Sequence, residues 1–397
     1  MERESLKTIL QGSNILLHVI PNLTFGVSKR SIKASPDRAT WEEERTDILE
    51  RCKWLCKEVI TDPETLVDKA PKEIDRGFRC EWAMYCCSML AHAITNIEKI
   101  YPGNGITSTE LIAELIEIVN TPTLREYDTK PWGEDAMETL DGKKSHMTYL
   151  SILAWIITNY KAIGGDERYD SLLHKLCETL NRRMLESKYD LNLLSFPGMP
   201  IWMPDMLVTI VALHNYNKLY DGKYSDTIDK WLDNAKTIWR HPQTGLLAGQ
   251  LPGQYYLMKK MRVLGSHTGL ICSYLSLVDE DFAFKQYQLM CQFMRKEVDL
   301  MGRKICGIKE FMRSNPKLRL KAGDAGIIVK GLSAGGTTFA LGAATFFGDW
   351  EFRYQILRTA ELVGCTKKTK GMRHYRLSEI FLVGEATALA MRTNIKR

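Results

Sequence analysis

Residues Pro200–Leu232, PIWMPDMLVTIVALHNYNKLYDGKYSDTIDKWL, decide the fold. Behind the opening Trp202-Met203-Pro204-Asp205, the run from Met206 to Leu213 carries no charge and no single polar face. As a helix it must be covered on every side. Asp221-Gly222 then supplies a tight turn. The helix expected after it, Tyr224–Arg240, places Ile228, Trp231 and Leu232 at helical spacing against a charged opposite face. The stretch therefore reads as one buried helix followed by one outer helix.

The same pair recurs along the chain. Apolar His146–Ile163 turns at Gly164-Gly165-Asp166 into amphipathic Glu167–Ser187, and Ser266–Leu277 turns at Asp279-Glu280-Asp281 into Phe282–Leu300. Gly326–Phe347 turns at Gly348-Asp349 into Trp350–Val363. Upstream, Ile74–Ile100 leads through YPGNG to Thr107–Val119; Trp41–Ile60 opens the series and Ser378–Arg392 closes it. The turns at 164, 221, 279 and 348 mark an internal repeat of helical hairpins. Six inner and six outer helices result. No stretch sustains a two-residue alternation, so strands are expected only as short pieces in loops.

Inner-to-outer turns are short, whereas the outer-to-inner connections 120–145, 188–203, 241–265, 301–325 and 364–377 are long. Twelve helices with every long loop at one end make an all-α (α/α)6 barrel whose mouth lies at that end. The expected organisation is an N-terminal arm over 1–40 and a single barrel domain over 41–397. Long loops in a compact domain are uncommon unless functional.

The chain has 397 residues, 45% hydrophobic and 26% charged, with a formal net charge of +6. That is a soluble composition with too little clustered basic charge for nucleic-acid binding. No window reaches the apolar length of a membrane span, and the charged first ten residues are unlike a secretory leader. The ten cysteines are scattered without C-x-x-C spacing, which suggests reduced, mostly buried thiols in a cytoplasmic protein. A small-molecule substrate is the expected partner, with neither nucleic acid nor membrane; a homo-oligomer is compatible with the composition.

The long loops concentrate chemistry. The first carries Trp132, Glu134, Asp135 and, at the helix entry, His146; the second carries Trp202, Met203 and Asp205. The third carries Tyr255, Tyr256, Arg262 and His267, the fourth Glu310, Arg313 and Asp324, and the fifth Tyr375. His146, Asp205, Asp135, Glu310 and Tyr256 are the candidate acid–base residues. Trp132, Trp202, Met203, Tyr255, Arg262, His267 and Tyr375 are candidates to line a small-molecule pocket. Each has a plainer reading: Asp205 as an N-cap, His146 as a satisfied buried imidazole, Tyr255-Tyr256 as loop packing. The segment GLSAGG at 331–336 lacks the lysine of a phosphate loop, and its small residues suit close helix packing. No metal ligand set, dinucleotide fingerprint or nucleophile elbow occurs, so no metal or cofactor is expected.

Several short motifs carry a resemblance. Trp132-Gly133, Lys144-Ser145-His146, Pro204-Asp205 with its Tyr-Asp-Gly turn, and His241-Pro242-Gln243-Thr244-Gly245-Leu246 occur in this order. Asp281–Tyr287 and Gly348-Asp349 follow. Over roughly residues 70–392 the chain resembles the linalool dehydratase/isomerase family. That resemblance implies the (α/α)6 barrel and cofactor-independent chemistry on a terpenoid-like alcohol, with a site histidine at His146. It also implies two site cysteines, whose places here are Trp202 and Val211; both thiols are missing. The leading expectation is a lyase, isomerase or cyclase moving protons on a small hydrophobic substrate. The alternatives are a glycoside hydrolase with two rim carboxylates and a non-catalytic small-molecule binding protein.

Overall fold

The computed structural model describes residues 41–253, 261–300, 302–312, 326 and 328–396. The expected arm over 1–40 and the candidates Tyr255, Tyr256, Arg313 and Asp324 lie outside them. Fourteen α-helices occur among the described residues. They are α1 (Trp41–Val59), α2 (Pro63–Val67), α3 (Arg76–Ile100), α4 (Ser108–Val119), α5 (Pro122–Trp132), α6 (Met147–Ala162) and α7 (Asp170–Leu185). There follow α8 (Met203–Leu219), α9 (Ser225–Thr237), α10 (Gly265–Leu275), α11 (Glu280–Met294), α12 (Ala334–Phe346), α13 (Trp350–Gly364) and α14 (Leu382–Arg392).

Six of these pack in chain order. Helix α3 lies against α6, α6 against α8, α8 against α10, α10 against α12 and α12 against α14, and α14 returns to α3. The remaining long helices sit outside the contacts between neighbours, as α7 does on α6 and α8. The sequence dictates this division. Every residue of α6 from Met147 to Tyr160 is buried, whereas α9 buries one face through Ile228, Trp231, Leu232 and Ala235. Outer helices start on side-chain caps where an aspartate follows the turn: Asp279 accepts Phe282 N–H on α11, and Asp349 accepts Phe352 N–H on α13. Of the 331–336 glycines, Gly336 serves contact between inner helices. A Cβ on Gly269 of α10 would come 2.7 Å from Gly336 O, and one on Gly336 would come 2.8 Å from Gly265 C.

The all-α expectation needs correction. A four-stranded antiparallel sheet, in the order β3-β4-β6-β5, is inserted between α11 and α12. Its strands are β3 (Arg295–Leu300), β4 (Arg303–Lys309), β5 (Ile328–Val329) and β6 (Leu332–Ser333). The expected helix Phe282–Leu300 therefore stops at Met294, and the expected Gly326–Phe347 begins only at Ala334. A hairpin of β7 (Thr366–Thr369) and β8 (Met372–Tyr375) fills the fifth connection, and β1 (Ile201–Trp202) pairs with β2 (Gln250–Leu251) to tie the second connection to the third. The first long connection is itself partly helical, as α5. The turns explain the hairpins. Lys330-Gly331 and Lys370-Gly371 hold both residues at positive φ, 49° and 88° and then 48° and 73°, which is the backbone that joins twisted strands through two residues. No helix among the described residues is long and apolar enough to cross a membrane.

Candidate functional site

Two polar centres lie where the long connections meet the first turns of α6 and α8. The first is built on Asp205, three residues into α8 and nearly fully buried. Its Oδ2 accepts Ser195 Oγ–H at 2.5 Å and Thr148 Oγ–H at 3.1 Å, and its Oδ1 accepts the Tyr85 phenol at 3.3 Å. A buried carboxylate without such donors would be costly; three hydroxyls, from α3, α6 and the second connection, hold it. Burial, reinforced by the neighbouring Asp205 carboxylate, pushes the Tyr85 phenol well above its ordinary range. Tyr85 thus keeps its proton and points it at a carboxylate.

Aromatic rings lie on the same helices and connections that hold this centre. Tyr127 meets Phe196 edge-on at 6.1 Å, Phe196 meets Trp202 at 6.5 Å, and Trp202 lies 6.2 Å from the His267 ring. On the α3 side, Trp82 meets Phe381 at 6.0 Å. The indole Nε1 of Trp202 is buried and makes no hydrogen bond. Backbone contacts set these rings: Met203 N–H donates to Gly249 O at 3.1 Å, and His267 Nδ1 lies 3.2 Å from the same oxygen. Gly249 has to be glycine, because a Cβ there would stand 2.6 Å from His267 Cβ.

The second centre is His146. It takes a left-handed backbone (φ 45°) at the N-terminus of α6 and is fully buried. Its Nδ1 lies 2.6 Å from Asp128 Oδ2, its Nε2 lies 3.4 Å from Glu134 Oε1, and the Trp132 ring packs 5.3 Å away. Burial raises the Asp128 carboxyl, although the hydrogen bond and charge of His146 oppose that rise. The ion pair with Lys144 lowers Glu134. The two centres are braced together: Ser145 Oγ–H donates to Leu194 O at 2.6 Å, next to Ser195, and Thr148 lies two residues beyond His146.

The sequence candidates thus divide. His146, Asp205, Trp132, Trp202, Met203 and His267 come together around α6 and α8. Asp135 is committed elsewhere: Arg125 donates to its Oδ2 at 2.9 Å and Met137 N–H to its Oδ1. Glu310 is fully buried as a cap on α10, accepting Ser266 N–H and Ser266 Oγ–H at 2.9 Å each. Burial raises its carboxyl, with the Ser266 donors opposing. Arg262 is exposed and bridges Gln250 through its backbone. Tyr375 sits beneath the Arg51 guanidinium, 4.1 Å from ring centre. Sequence reasoning missed Tyr85, Asp128, Thr148 and Ser195. Tyr85 had one signal, its place one helical turn after Trp82 on an inner helix; Asp128 lay in a stretch read as irregular.

All ten cysteines are free. Burial raises the thiols of Cys86, Cys87 and Cys272, and Val211 is buried within α8. Among the described residues, no group of three side chains suits a metal ion. A surface cleft of about 700 Å³, lined by Glu110, Glu114, Glu117 and Tyr169, shares no residue with either centre. No protein-family model matches the chain, and no curated protein is significantly similar to it.

Proposed function

We propose that the chain is an (α/α)6 barrel enzyme, a cofactor-independent lyase or isomerase that moves protons on a small hydrophobic, terpenoid-like substrate in the cytoplasm. It would be a divergent relative of the linalool dehydratase/isomerase family that works without that family's two thiols. The ring of six inner helices, closed by α14 on α3, supports the barrel. The carrying observation for the chemistry is Asp205, a buried carboxylate that gathers the hydroxyls of Tyr85, Thr148 and Ser195 beside a run of aromatic rings.

The residues suggest a division of labour. Tyr85 donates its proton to a substrate hydroxyl, the C–O bond breaks and water leaves. The proton lost from the neighbouring carbon returns to the Tyr85 phenolate, which gives the alkene and restores the phenol that hydrogen-bonds Asp205. Trp82, Phe196 and Trp202 shape the apolar wall, and their ring faces favour developing positive charge. His146 exchanges protons at the entry of the neighbouring helix α6. A glycosidase would need two carboxylates facing each other across an open cleft. The Arg125 pair on Asp135 and the Ser266 cap on Glu310 favour that reading less.

Native mass spectrometry of the freshly purified chain tests the substrate class. A retained apolar alcohol or alkene, lost in Trp202→Ala, is expected; a retained sugar or sugar phosphate would overturn the terpenoid reading. Once a substrate is in hand, unchanged turnover in both His146→Ala and Asp205→Asn would remove the site assignment.

A further inference from the structure

Lys144-Ser145-His146 holds a feature that the hydroxyl cluster at Asp205 does not use. The His146 imidazole has a carboxylate on each nitrogen, and the two carboxylates differ. Asp128 is completely buried, and its Oδ1 makes no hydrogen bond, so its contact with His146 Nδ1 at 2.6 Å is its principal compensation. Such a contact to a buried acceptor is made by an Nδ1–H. The lone pair of the neutral ring is then on Nε2.

That nitrogen faces Glu134 Oε1 at 3.4 Å. A lone pair and a carboxylate do not bond to each other, so with the neutral ring this is a contact only, and a proton that reaches Nε2 is donated to Glu134. Glu134 is the outward member: its side chain is 28% exposed, and its other oxygen is 2.9 Å from Lys144 Nζ. Lys144 also donates to Trp132 O at 2.7 Å, which fixes it over the same loop. Asp128 and His146 are sealed, Glu134 is half open, and Lys144 is exposed. The four groups thus form a line from the interior to water. The other charges nearby are structural: Arg183 donates to Ser145 O at 3.0 Å, and Asp135 is held by Arg125.

We propose that Asp128 is a positioning residue that fixes His146 as the Nδ1–H tautomer, and that Glu134, steadied by Lys144, passes protons between His146 Nε2 and solvent. The buried imidazole is then recharged through the loop around residues 133–145. Its role in turnover rests on the acid–base reading above; its geometry does not. Each transfer is balanced, since a proton leaving Nε2 goes to Glu134 Oε1 and from there to water, with no other bond broken.

The test uses the full chain with ¹⁵N-labelled histidine and long-range ¹H–¹⁵N spectra of the imidazoles, with His146 assigned by its loss in His146→Gln. In the wild type, His146 is expected as the Nδ1–H tautomer. Asp128→Asn is expected to flip it to Nε2–H, because a carboxamide can present its own N–H to Nδ1. Glu134→Gln is expected to keep the Nδ1–H tautomer while slowing proton exchange with water at Nε2 of the protonated ring about 100-fold, the lower range for a positioned acid or base. An Nε2–H tautomer in the wild type, or exchange unaffected by Glu134→Gln, would overturn the proposal. If Asp128→Asn fails to fold, the wild-type and Glu134→Gln spectra still decide. All these readings are made without substrate. A confirmed relay in a chain that moves no protons on any alkenyl alcohol would therefore refute the acid–base reading alone.

Discussion

Two buried charge clusters in this molecule are built on opposite principles. At the seam where α1 meets α14 and β8, each described carboxylate has a guanidinium. Arg51 binds Glu385 at 2.6 Å and Asp47 at 3.0 Å; Arg392 binds Glu44 at 3.2 Å and also reaches Asp47; Arg373 adds a third contact to Asp47 at 3.1 Å. Burial alone would raise Asp47 and Glu44, but the adjacent arginines more than reverse this and hold both below the usual carboxylate range. Around the loop end, Asp128 and Glu310 are instead held by imidazole, hydroxyl and backbone donors, and burial leaves both raised. The seam spends its charges on joining α1 to α14 and β8. The loop end keeps carboxylates that accept a proton readily.

The largest expected effect breaks the seam. Arg51→Met leaves Glu385 buried without its partner and should lower stability by about 3–5 kcal/mol, read from chemical denaturation. By contrast Glu310→Gln keeps a carbonyl acceptor for Ser266 and needs no guanidinium, so its cost should be about 1 kcal/mol or less. Equal costs for the two would erase the distinction.

The pH dependence sharpens the comparison because the two signs differ. Asp47 is depressed in the folded state, so the stability it adds is present above about pH 4 and is lost as pH falls through its folded value. The gap between wild type and Asp47→Asn should therefore close in acid. Glu310 is raised, so the folded state binds its proton more tightly than the unfolded state does. Wild type should then gain on Glu310→Gln as pH falls from neutral towards 4. Denaturant titrations at several pH values read both slopes.

The smallest effect concerns the thiols. In the native chain Cys86, Cys87 and Cys272 should resist alkylation at neutral pH, and labelling should be confined to the partly exposed Cys56, Cys291 and Cys365. Peptide mapping after a short iodoacetamide pulse checks this, with no loss of stability expected.

What was legible in the sequence follows from period. The inner helices α6 and α8 are apolar on all sides, and their extent and order could be read to within a few residues. The strands could not, because β5 and β6 are two residues each and β3 shows only Val298 and Leu300 in alternation. The Lys-Gly turn dipeptides at 330 and 370 were the available signal. At the site, Asp205 and His146 were legible from their positions at helix entries. Their partners were not, since Tyr85 is 120 residues from Asp205 in sequence and only tertiary packing joins them. Tyr375 misled for the same reason: a rim position in sequence is a seam position in space, under Arg51.

Solvent-deuterium incorporation tests most directly whether the loop end is where protons move. The full chain would be incubated in deuterium oxide with the monoterpene alkene that dehydration yields, so that the reverse addition of water places deuterium on carbon, and the recovered alcohol and hydrocarbon analysed by mass spectrometry. Wild type and Tyr375→Phe, a seam variant, should both incorporate deuterium, and Asp205→Asn should slow incorporation about 100-fold. Incorporation at the wild-type rate in Asp205→Asn, or none in the wild type, would contradict the assignment of acid–base chemistry to this end of the ring.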